Sequence, residues 1–522
     1  MQSRRDCRIF DRARSIRLTE EWSFQKYVPL HVHTDSSILD GYQKPYEYAD
    51  LCEKLHVKAA AITDHGTCSG QEPFDRRIIE KGYHFKPIFG EEAYLVDDVD
   101  NVMSDRPARD RKGNIKIDKE TGEPEMAKQK PSDFNHGCIW AKTNEGLANL
   151  WTLSTLSYTK GMYYKPRIDM KMLKRYGKGL FVSDGCMLSA VSRAIVADDF
   201  SKAEAWLNKL IEAVGKDNVL MELHTWQFTD EKYSKDWKTF EHDELKDLIG
   251  RLRACDIVLK SMEDLDNARK EVESFGRSLT DEQKKQKAAF AQYDAEINNW
   301  NLNQSMYKTN KGKVELARKL GLRLIAVNDA HYGPREDYIW HELEWATTTG
   351  KGAEYDDDKT GGRGETAAWV MNDEEVKYWL MKSGLSEEIA DEAIDNTGWV
   401  ADRCNAVMER GMHPPRFEST REKDEELFDK TVVEGIKELV PKDRNTFKQY
   451  MDRVNLESEL IKKCDLCGYF NTVADYANFV RAEDPDGEKY GIVGKHASLL
   501  GPGRGSAGSS IVCYLMHITN LD

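Results

Sequence analysis

Short apolar runs alternate with amphipathic stretches over most of the first 330 residues. VPLHVH at 28–33 and KAAAIT at 58–63 have the length and composition of buried strands. Between them, Pro45 to Leu55 carries apolar residues at helical spacing. Further strands are predicted, in chain order, in KPIFG, CIWA, GLFVS, VLMELH and LRLIAVND. Strand–helix alternation of this kind predicts an α/β fold built on a parallel sheet or barrel.

Two segments interrupt this alternation. Residues 97–133 are polar, rich in Lys, Asp, Gly and Pro, and without a clear period, which predicts a long loop. Residues 230–303 are dominated by charged and helix-forming residues, and Thr280 followed by Gln283 has the spacing of a capping box. We expect an inserted antiparallel helical arm there, serving either as a protein contact or as a solvated spacer.

The strand pattern fades after about residue 340, and helices follow. They are predicted at 335–348, 373–383, 386–404, 424–439 and 446–465, with another in GYFNTVADYANFVRA. The chain then reaches GPGRGS at 501–506, whose glycines open a helix with an apolar face. Glycines allow close approach to a phosphate, and a helix N-terminus offers free N–H groups to an anion. A plain helix cap in a turn is the alternative.

Composition narrows the class of protein. The 522 residues, 59.9 kDa, predict about three domains. A formal charge of −15 disfavours a simple DNA-coating protein, although a local basic groove stays compatible with it. No apolar run reaches the roughly 18 residues of a membrane span, and the arginine-rich N-terminus lacks a signal-peptide core. The ten scattered cysteines fit a reducing compartment, and Cys464 and Cys467 favour helical packing over a zinc site.

Metal-ligating side chains occur at nearly every predicted strand end. His31 and His33 are two apart on one strand, so both imidazoles face the same side. The carboxyl ends of parallel barrel strands meet at one mouth, where active sites lie. The other candidates are Asp40, Asp64–His65, Glu91–Glu92, His136, Cys186, Asp329 and His331. The set as a whole predicts a metal centre.

These motifs together resemble a PHP (polymerase and histidinol phosphatase) domain. HVHTDSSILDG, ITDHG, the Glu after FG, the strand histidine, SDGC and NDAHY occur in the family's order. The resemblance implies a distorted (β/α)7 barrel with up to three metal ions and metal-dependent 3′–5′ exonuclease activity. Carried over by motif, the catalytic metal ligands are His31, His33, Asp40, His65, Glu92, His136, Cys186, Asp329 and His331. Such a mixed ligand set suits Zn, Mn or Fe better than Mg alone.

The rest of the chain resembles the replicative C-family DNA polymerases, the family of the bacterial DNA polymerase III alpha subunit. HGCIWAKTNEGLANLWTLSTLSYTKGMYYKPRID and LGPGRGSAGSSIVCYLMHITNLD carry the likeness. It implies a PHP domain at 27–340, into which the 230–303 arm is inserted, and an incomplete, mainly helical α+β palm at 341–522. The arginine-rich residues 1–26 lie outside the likeness and are either a basic extension or a solvated, disordered tail. Gly505 and Ser506, with Arg504 nearby, would hold a nucleotide triphosphate. Arg167, in YYKPRID, would hold a phosphate or form a structural ion pair.

The resemblance also sets expectations about partners. The family's palm aspartates, which bind Mg, lie beyond GPGRGS, and no PDFD-like motif is present in this sequence. We expect either a split polymerase completed by a second polypeptide or a truncated product. Single-stranded 3′ ends, primer-template DNA, a sliding clamp or other replisome proteins are the predicted partners, in a bacterial or infected-host cytoplasm and without a membrane. A non-catalytic metal-stabilised scaffold and a small-molecule phosphoesterase are the alternative functions.

Overall fold

The computed structural model describes most of the chain and divides it into two compact units. The described residues are 24–102, 104–107, 117–118, 121–129, 134–230, 250, 252, 254, 262–275, 279–349, 365–411, 414–481, 501–503 and 505–521. The extension at 1–26 lies almost wholly outside them, as does Arg504. The units are Met1–Met408 and Glu409–Asp522. None of the helices in the described part is long and apolar enough to cross a bilayer.

The first unit alternates strands and helices as its sequence pattern predicts. Its strands are β1 Ala59–Ile62, β2 Lys86–Val96, β3 Ser104–Pro107, β4 Met126–Gln129, β5 Asn135–Ala141, β6 Arg167–Asp169, β7 Leu180–Ser183, β8 Val219–His224 and β9 Arg323–Val327. Its helices are α1 Pro45–Lys54, α2 Gln71–Lys81, α3 Asn144–Thr159, α4 Met170–Tyr176, α5 Ala190–Val196, α6 Phe200–Val214, α7 Met262–Glu273, α8 Asp281–Leu320, α9 Tyr338–Thr349, α10 Asp373–Lys382 and α11 Glu387–Arg403. The predicted α/β class is confirmed.

Seven strands form one curled sheet in the order β1-β2-β5-β7-β8-β9, with β6 also paired to β2. The prediction of a parallel sheet is wrong at β5, which runs antiparallel to both β2 and β7. Strands β3 and β4 form a separate antiparallel pair within 97–133. The sequence predicted a loop there because a small pair outside the main sheet carries no apolar alternation.

The segment predicted as the first strand closes the sheet. Its only regular β-structure is an isolated parallel β-bridge between Val32 and Ala330. Its backbone nevertheless bonds on both sides, because Thr63 N donates to Val32 O at 3.0 Å and His33 N donates to Ala330 O at 2.8 Å. The extended chain before His33 therefore lies between β1 and the continuation of β9, where it places its two histidines.

Apolar side chains of the sheet and its covering helices form the core. Helix α6 places Ala203, Trp206, Leu207 and Leu210 on one buried face, at the spacing of an amphipathic helix. Helix α3 is capped by Thr143, whose hydroxyl accepts a hydrogen bond from Gly146 N. The buried cluster on this side of the sheet also includes Leu147, Leu150, Leu153, Leu180, Val182, Met221 and Leu324.

Helix α8 begins at the predicted capping box, in which Thr280 and Gln283 exchange side-chain hydrogen bonds. It does not end with the predicted arm at 303 but runs on to Leu320, next to β9. The second half of the helix binds the barrel through buried amides. Asn303 bonds both backbone groups of Phe228, and Asn310 bonds both backbone groups of His224.

The first compact unit includes residues 341–408. Helices α10 and α11 stay with it because α11 packs on β9. The Thr397 hydroxyl accepts a hydrogen bond from Val28 N at 2.9 Å, and Asn396 Nδ2 donates to Leu324 O at 2.8 Å. These buried polar contacts attach the helix to the sheet that carries the candidate metal ligands.

The regular secondary structure in the described residues of the second unit is all helical. Its helices are α12 Arg421–Leu439, α13 Arg444–Lys463, α14 Cys467–Arg481 and α15 Ile511–Leu515. Gly435 is required in α12, because a Cβ there would lie 2.0 Å from Leu515 O. Cys467 is buried in this unit's core while Cys464 is exposed, in agreement with helical packing.

Candidate metal centre

The strand ends bring the sequence-derived candidates to one edge of the sheet. His65 follows β1, Cys186 follows β7, and Asp329 follows β9. His136 lies at the start of β5, yet it reaches the same edge because β5 is antiparallel to β2 and pairs His136 with Tyr94. Five of the nine candidates are buried, and the other four, Asp40, His65, His136 and His331, are partly exposed.

Glu92 lies at the middle of the cluster. Its Oε1 is 3.3 Å from His31 Nε2 and 3.1 Å from His136 Nδ1. Its Oε2 is 2.6 Å from His65 Nδ1 and 3.5 Å from His33 Nε2. A single carboxylate thus touches four imidazoles, and any ion bound among them would share it.

Asp329 provides a second shared carboxylate. Its Oδ1 lies 3.3 Å from both His31 Nε2 and His33 Nε2. The residue has a φ of 49°, in the left-handed region that costs a non-glycine residue energy and that clusters at functional sites. Its carbonyl oxygen is 2.7 Å from Nδ1 of His331, so the same residue orients the next candidate.

Asp40 and Cys186 lie on opposite sides of the cluster. Asp40 Oδ2 is 2.8 Å from His65 Nε2, and Asp40 Oδ1 is 3.8 Å from His331 Nε2. Cys186 Sγ is 3.5 Å from His136 Nδ1. All nine candidates therefore belong to one continuous network, with Asp40 at its more exposed rim.

The donor set fits divalent cations. In the described part of the chain, five groups of side chains have ligand atoms within 4.8 Å of one another. Three consist wholly of the nine candidates: His31/His33/Asp329, His65/Glu92/His136 and His33/His65/His331. The other two are His31/Glu92/Cys138 and His31/Glu222/His224. Glu92 Oε2, Asp329 Oδ1 and His65 Nδ1 are buried without a hydrogen-bond partner, although they lie at ion-pair distances. The Nε2 atoms of His31 and His33 face each other at 3.1 Å. Lone pairs converging in this way are what a bound cation satisfies, and imidazole, carboxylate and thiol ligands suit Zn, Mn or Fe.

The ionisation of the carboxylates is coupled to that of the histidines. Burial lowers the pKa of His31 and of His65, but the neighbouring carboxylates outweigh it and raise both, that of His65 to about 10. A metal ion bound to these imidazoles would displace their protons.

Burial opposes ionisation of Glu92, but His136, His65 and His31 outweigh it and hold the pKa of the carboxyl well below its ordinary range. Burial likewise opposes ionisation of Asp329, and the neighbouring histidines again lower its pKa. Burial and His65 lower the pKa of His33 to about 3, so this imidazole is neutral and its lone pair is available. The centre therefore holds two buried carboxylates in the charged form.

Glu91 and Glu92 face opposite sides of β2, as adjacent strand residues must. Glu91 accepts a hydrogen bond from Cys68 Sγ at 3.3 Å, away from the histidines. Burial raises the pKa of Glu91 from its ordinary 4.5 to about 7. Of the two carboxylates that the sequence offers here, Glu92 is therefore the one at the centre.

The raised pKa of Glu91 predicts a pH-dependent stability effect. The unfolded chain loses this proton near pH 4.5 and the folded chain near pH 7, so the buried carboxyl destabilises the fold as pH rises through that window. Glu91→Gln should therefore stabilise the protein by roughly 3 kcal/mol at pH 8 relative to the wild-type chain, and by much less at pH 5. Urea unfolding at the two pH values measures this, and an equal effect at both would contradict it.

Glu222 and His224 on β8 also belong to the cluster, although the sequence motifs did not mark them as candidates. Glu222 Oε2 is 3.0 Å from His31 Nδ1 and 2.9 Å from His224 Nε2, and all three side chains are buried. The Ser183 hydroxyl donates to the other Glu222 oxygen. A carboxylate on Nδ1 fixes the tautomer of His31 and directs its Nε2 toward Glu92. The alternate spacing in MELH, the same as in HVH, was the available signal.

Removing the charge of Glu222 should weaken metal binding without removing a direct ligand. Partners that orient ligating histidines typically contribute about 10- to 100-fold to metal affinity. We expect Glu222→Gln to lower zinc affinity by that factor in competition with a chromogenic chelator. Glu91→Gln, the same substitution on the far face of the sheet, is the control and should leave zinc affinity unchanged. Equal affinities for the two variants would refute the orienting role.

Arg167, the predicted phosphate ligand, is engaged by the backbone. Its guanidinium donates to the carbonyl oxygens of Gly161, Asn101 and Val99, at 2.9, 2.9 and 2.6 Å. The side chain is 2% exposed. Arg167 therefore holds the surrounding loops together, and the structure shows no ion pair for it within the described residues.

The glycine turn of the second unit is exposed. Gly505 to Ser509 form one 3₁₀ turn, in which Gly505 has a φ of 60° and both Gly505 and Ser506 face solvent. The start of α15 already carries an anion, because Glu457 Oε2 accepts hydrogen bonds from Val512 N and Ser510 Oγ. The turn itself, rather than this short helix, is therefore the part open to a ligand.

Comparison with known proteins agrees with both halves of this description. Residues 29–226 match the PHP domain model, and residues 426–522 match the model of the bacterial DNA polymerase III alpha NTPase domain. The DNA polymerase III subunit alpha of Aquifex aeolicus is 26% identical over 503 residues, covering 95% of this chain and 34% of that protein. That of Helicobacter pylori strain 26695 is 27% identical over 526 residues, covering 95% and 33%.

A solved metal-dependent phosphoesterase from Bifidobacterium adolescentis covers 58% of the chain at 14% identity, with a TM-score of 0.18, too low to support an argument. The stretch that matches the PHP domain model contains seven of the nine candidate ligands, all except Asp329 and His331. The chain is similar along nearly its whole length to bacterial DNA polymerase III alpha subunits, in agreement with the resemblance predicted from the motifs. It spans about a third of the length of these curated relatives.

Proposed function

We propose that the centre hydrolyses phosphodiester bonds of DNA as a metal-dependent 3′–5′ exonuclease, in the N-terminal region of a replicative polymerase. The observation that carries this proposal is the convergence of the nine sequence-derived ligands into one network around Glu92 and Asp329. A site that had lost its function would not be expected to keep every ligand type within contact distance. Proofreading in the bacterial cytoplasm is part of the proposal.

The residues of the centre have distinct parts in this chemistry. Divalent ions bound there would neutralise phosphodiester charge and supply hydroxide near neutral pH. His31, His33 and Asp329 would form the inner ligand group, while His65, Glu92 and His136, with Cys186 beside them, would form the second. Asp40 and His331 lie toward the opening, where a DNA end would enter. The choice among Zn, Mn and Fe, and the number of ions up to three, stay predictions.

The second unit carries the proposed polymerase role. Gly505 and Ser506 are proposed to contact the triphosphate of a nucleotide, supported by their exposure in a glycine turn. Arg504, the third predicted member of this site, lies outside the described residues. Magnesium at a palm site, primer-template DNA, a sliding clamp or other replisome proteins, and a second polypeptide all stay predictions.

The exonuclease is tested with single-stranded DNA labelled at either the 3′ or the 5′ end. Zn²⁺, Mn²⁺ and Mg²⁺ are supplied singly, with a chelated control and His33→Ala. We expect stepwise loss from the 3′ end that both the chelator and the substitution abolish. If folded, metal-loaded protein cleaves no DNA, the nuclease hypothesis is refuted, and a metal-stabilised scaffold is the remaining interpretation. Hydrolysis of a nucleotide phosphate ester without cleavage of DNA would point to a small-molecule phosphoesterase.

A further inference from the structure

A lysine and two tyrosines lie beside the metal centre without a part in the chemistry proposed so far. Tyr94, on β2, stacks against His65 at a ring-centroid distance of 6.0 Å and meets His136 edge to face at 5.2 Å. The ammonium of Lys165 lies over the same ring, 5.0 Å from the centroid of Tyr94. The Tyr94 ring therefore contacts both a lysine and two proposed ligands.

Lys165 is an exposed cation that the described part of the chain does not neutralise. Its side chain contacts the face of Tyr94, and no carboxylate of the described residues forms an ion pair with it. The metal centre beside it is rich in carboxylates, including Glu92 and Asp40. A polyanion that approaches this opening needs positive charge to offset those carboxylates, and Lys165 supplies it at the edge.

The residue before Lys165 is held in a strained conformation with its ring outward. Tyr164 has a φ of 61°, which is an outlier for a bulky side chain, and the residue is 55% exposed. Its ring meets the Tyr163 ring edge to face at a centroid distance of 4.7 Å. The turn is fixed on both sides, because Tyr163 N donates to Lys165 O at 3.1 Å and the Arg167 guanidinium lies 5.2 Å from the Tyr163 ring. Strain that the surroundings maintain at the rim of a site is typical of a functional contact.

We infer that Tyr164 and Lys165 form a strand seat, which binds single-stranded DNA as it enters the metal centre. Lys165 contacts a backbone phosphate, and the Tyr164 ring stacks on a base, the combination by which proteins bind single strands without reading sequence. The inference rests on the proposed function for the identity of the strand. The inference also assigns the phosphate contact to Lys165 instead of Arg167, another residue of the YYKPRID motif. The guanidinium of Arg167 already donates its hydrogen bonds to backbone carbonyl oxygens.

Binding of a fluorescein-labelled oligothymidylate, measured by anisotropy in EDTA at several salt concentrations, tests the seat apart from catalysis. We expect Lys165→Met, which keeps the apolar stem on Tyr94, to weaken binding about fivefold at about 0.1 M salt and to lower the salt slope by about 0.7. Lys165→Arg should retain binding. The matched control is Lys174→Met on α4, where the lysine is also exposed but pairs with Glu212 at 2.7 Å.

Tyr164→Asn tests the stacking ring. Asn tolerates the left-handed conformation, so we expect thermal stability to be retained while DNA binding weakens about tenfold. A purely structural ring would give the reverse, a loss of stability with unchanged DNA affinity, and that result would overturn its role in the seat. Metal content, measured by mass spectrometry, should be the same in every variant.

The outcomes separate the seat from the exonuclease. Equal DNA affinity for wild type and Lys165→Met, equal losses for Lys165→Met and Lys174→Met, or no binding by the wild-type chain would each overturn the seat. If the wild-type chain binds the oligonucleotide through Lys165 but does not cleave it in the presence of Zn²⁺, Mn²⁺ or Mg²⁺, the exonuclease is refuted while the seat remains supported.

Discussion

Glu92→Gln is expected to abolish the exonuclease, with a loss of at least about 1,000-fold in kcat/KM, or roughly 4 kcal/mol of transition-state stabilisation. The carboxylate touches four histidines, so its loss removes a charge common to all of them. Residues that only orient a ligand typically contribute about 10- to 100-fold, and a shared direct ligand should exceed that. The measurement is cleavage of 3′-labelled DNA together with the metal content of the purified variant.

Glu91→Gln is the matched control for this experiment. The two glutamates are adjacent on β2, equally buried and of the same chemistry, but they face opposite sides of the sheet. Glu91→Gln should keep both its metal and its activity. A similar loss in the two variants would show that the effect arises from disturbing β2, and full activity in Glu92→Gln would remove Glu92 from the centre.

The position of the candidate ligands could be predicted because it follows from topology. Residues at successive strand ends meet at one edge whatever the details of packing, so HVH, ITDHG and NDAHY were enough to predict that their side chains converge. His136 was also predicted to join the cluster, although its position does not follow from this rule. It begins rather than ends its strand, and it reaches the same edge only because β5 is antiparallel, which the sequence pattern did not reveal.

Other members of the site depend on tertiary packing and gave a weaker signal. The sequence pattern around Glu222 and His224 indicates one more apolar strand. The two residues are recognised as part of the centre only because they share a face of that strand and Glu222 contacts both His31 and His224. Arg167 and Lys165 also show that the sequence does not reveal tertiary packing. Two basic residues in one short motif look equivalent in sequence, and burial alone decides that one binds carbonyl oxygens while the other faces solvent.

Lys313 was the least predictable residue with a large expected effect. It lies in a charged helical segment that resembles a solvated face, yet its side chain is fully buried. Its ammonium is 2.9 Å from Asp184 Oδ2 and donates to Gly185 O at 2.6 Å. Asp184 in turn accepts a hydrogen bond from Glu222 N at 2.7 Å. Helix α8 thereby supports the loop that carries Cys186.

Lys313→Met is therefore expected to lower the free energy of unfolding by about 3 to 5 kcal/mol, because it leaves the buried Asp184 carboxylate without its partner. Lys319→Met is the control on the same helix. That lysine pairs with Glu204 at an exposed position, where an ion pair contributes at most about 1 kcal/mol. Urea unfolding measures both, and equal destabilisation by the two variants would contradict the prediction.

The double variant Lys313→Met/Asp184→Asn distinguishes two causes of the destabilisation: loss of the ion pair itself, and burial of an Asp184 carboxylate without a partner. If the cost arises from an unpaired buried carboxylate, neutralising Asp184 should recover most of the stability that Lys313→Met loses. Burial already raises the pKa of Asp184 in spite of Lys313, so the single variant should also be less destabilised at about pH 5 than at about pH 8, since acid protonates the stranded carboxyl. No recovery in the double variant would mean that Lys313 acts through its bond to Gly185 O, and the Cys186 loop would then depend on that bond alone.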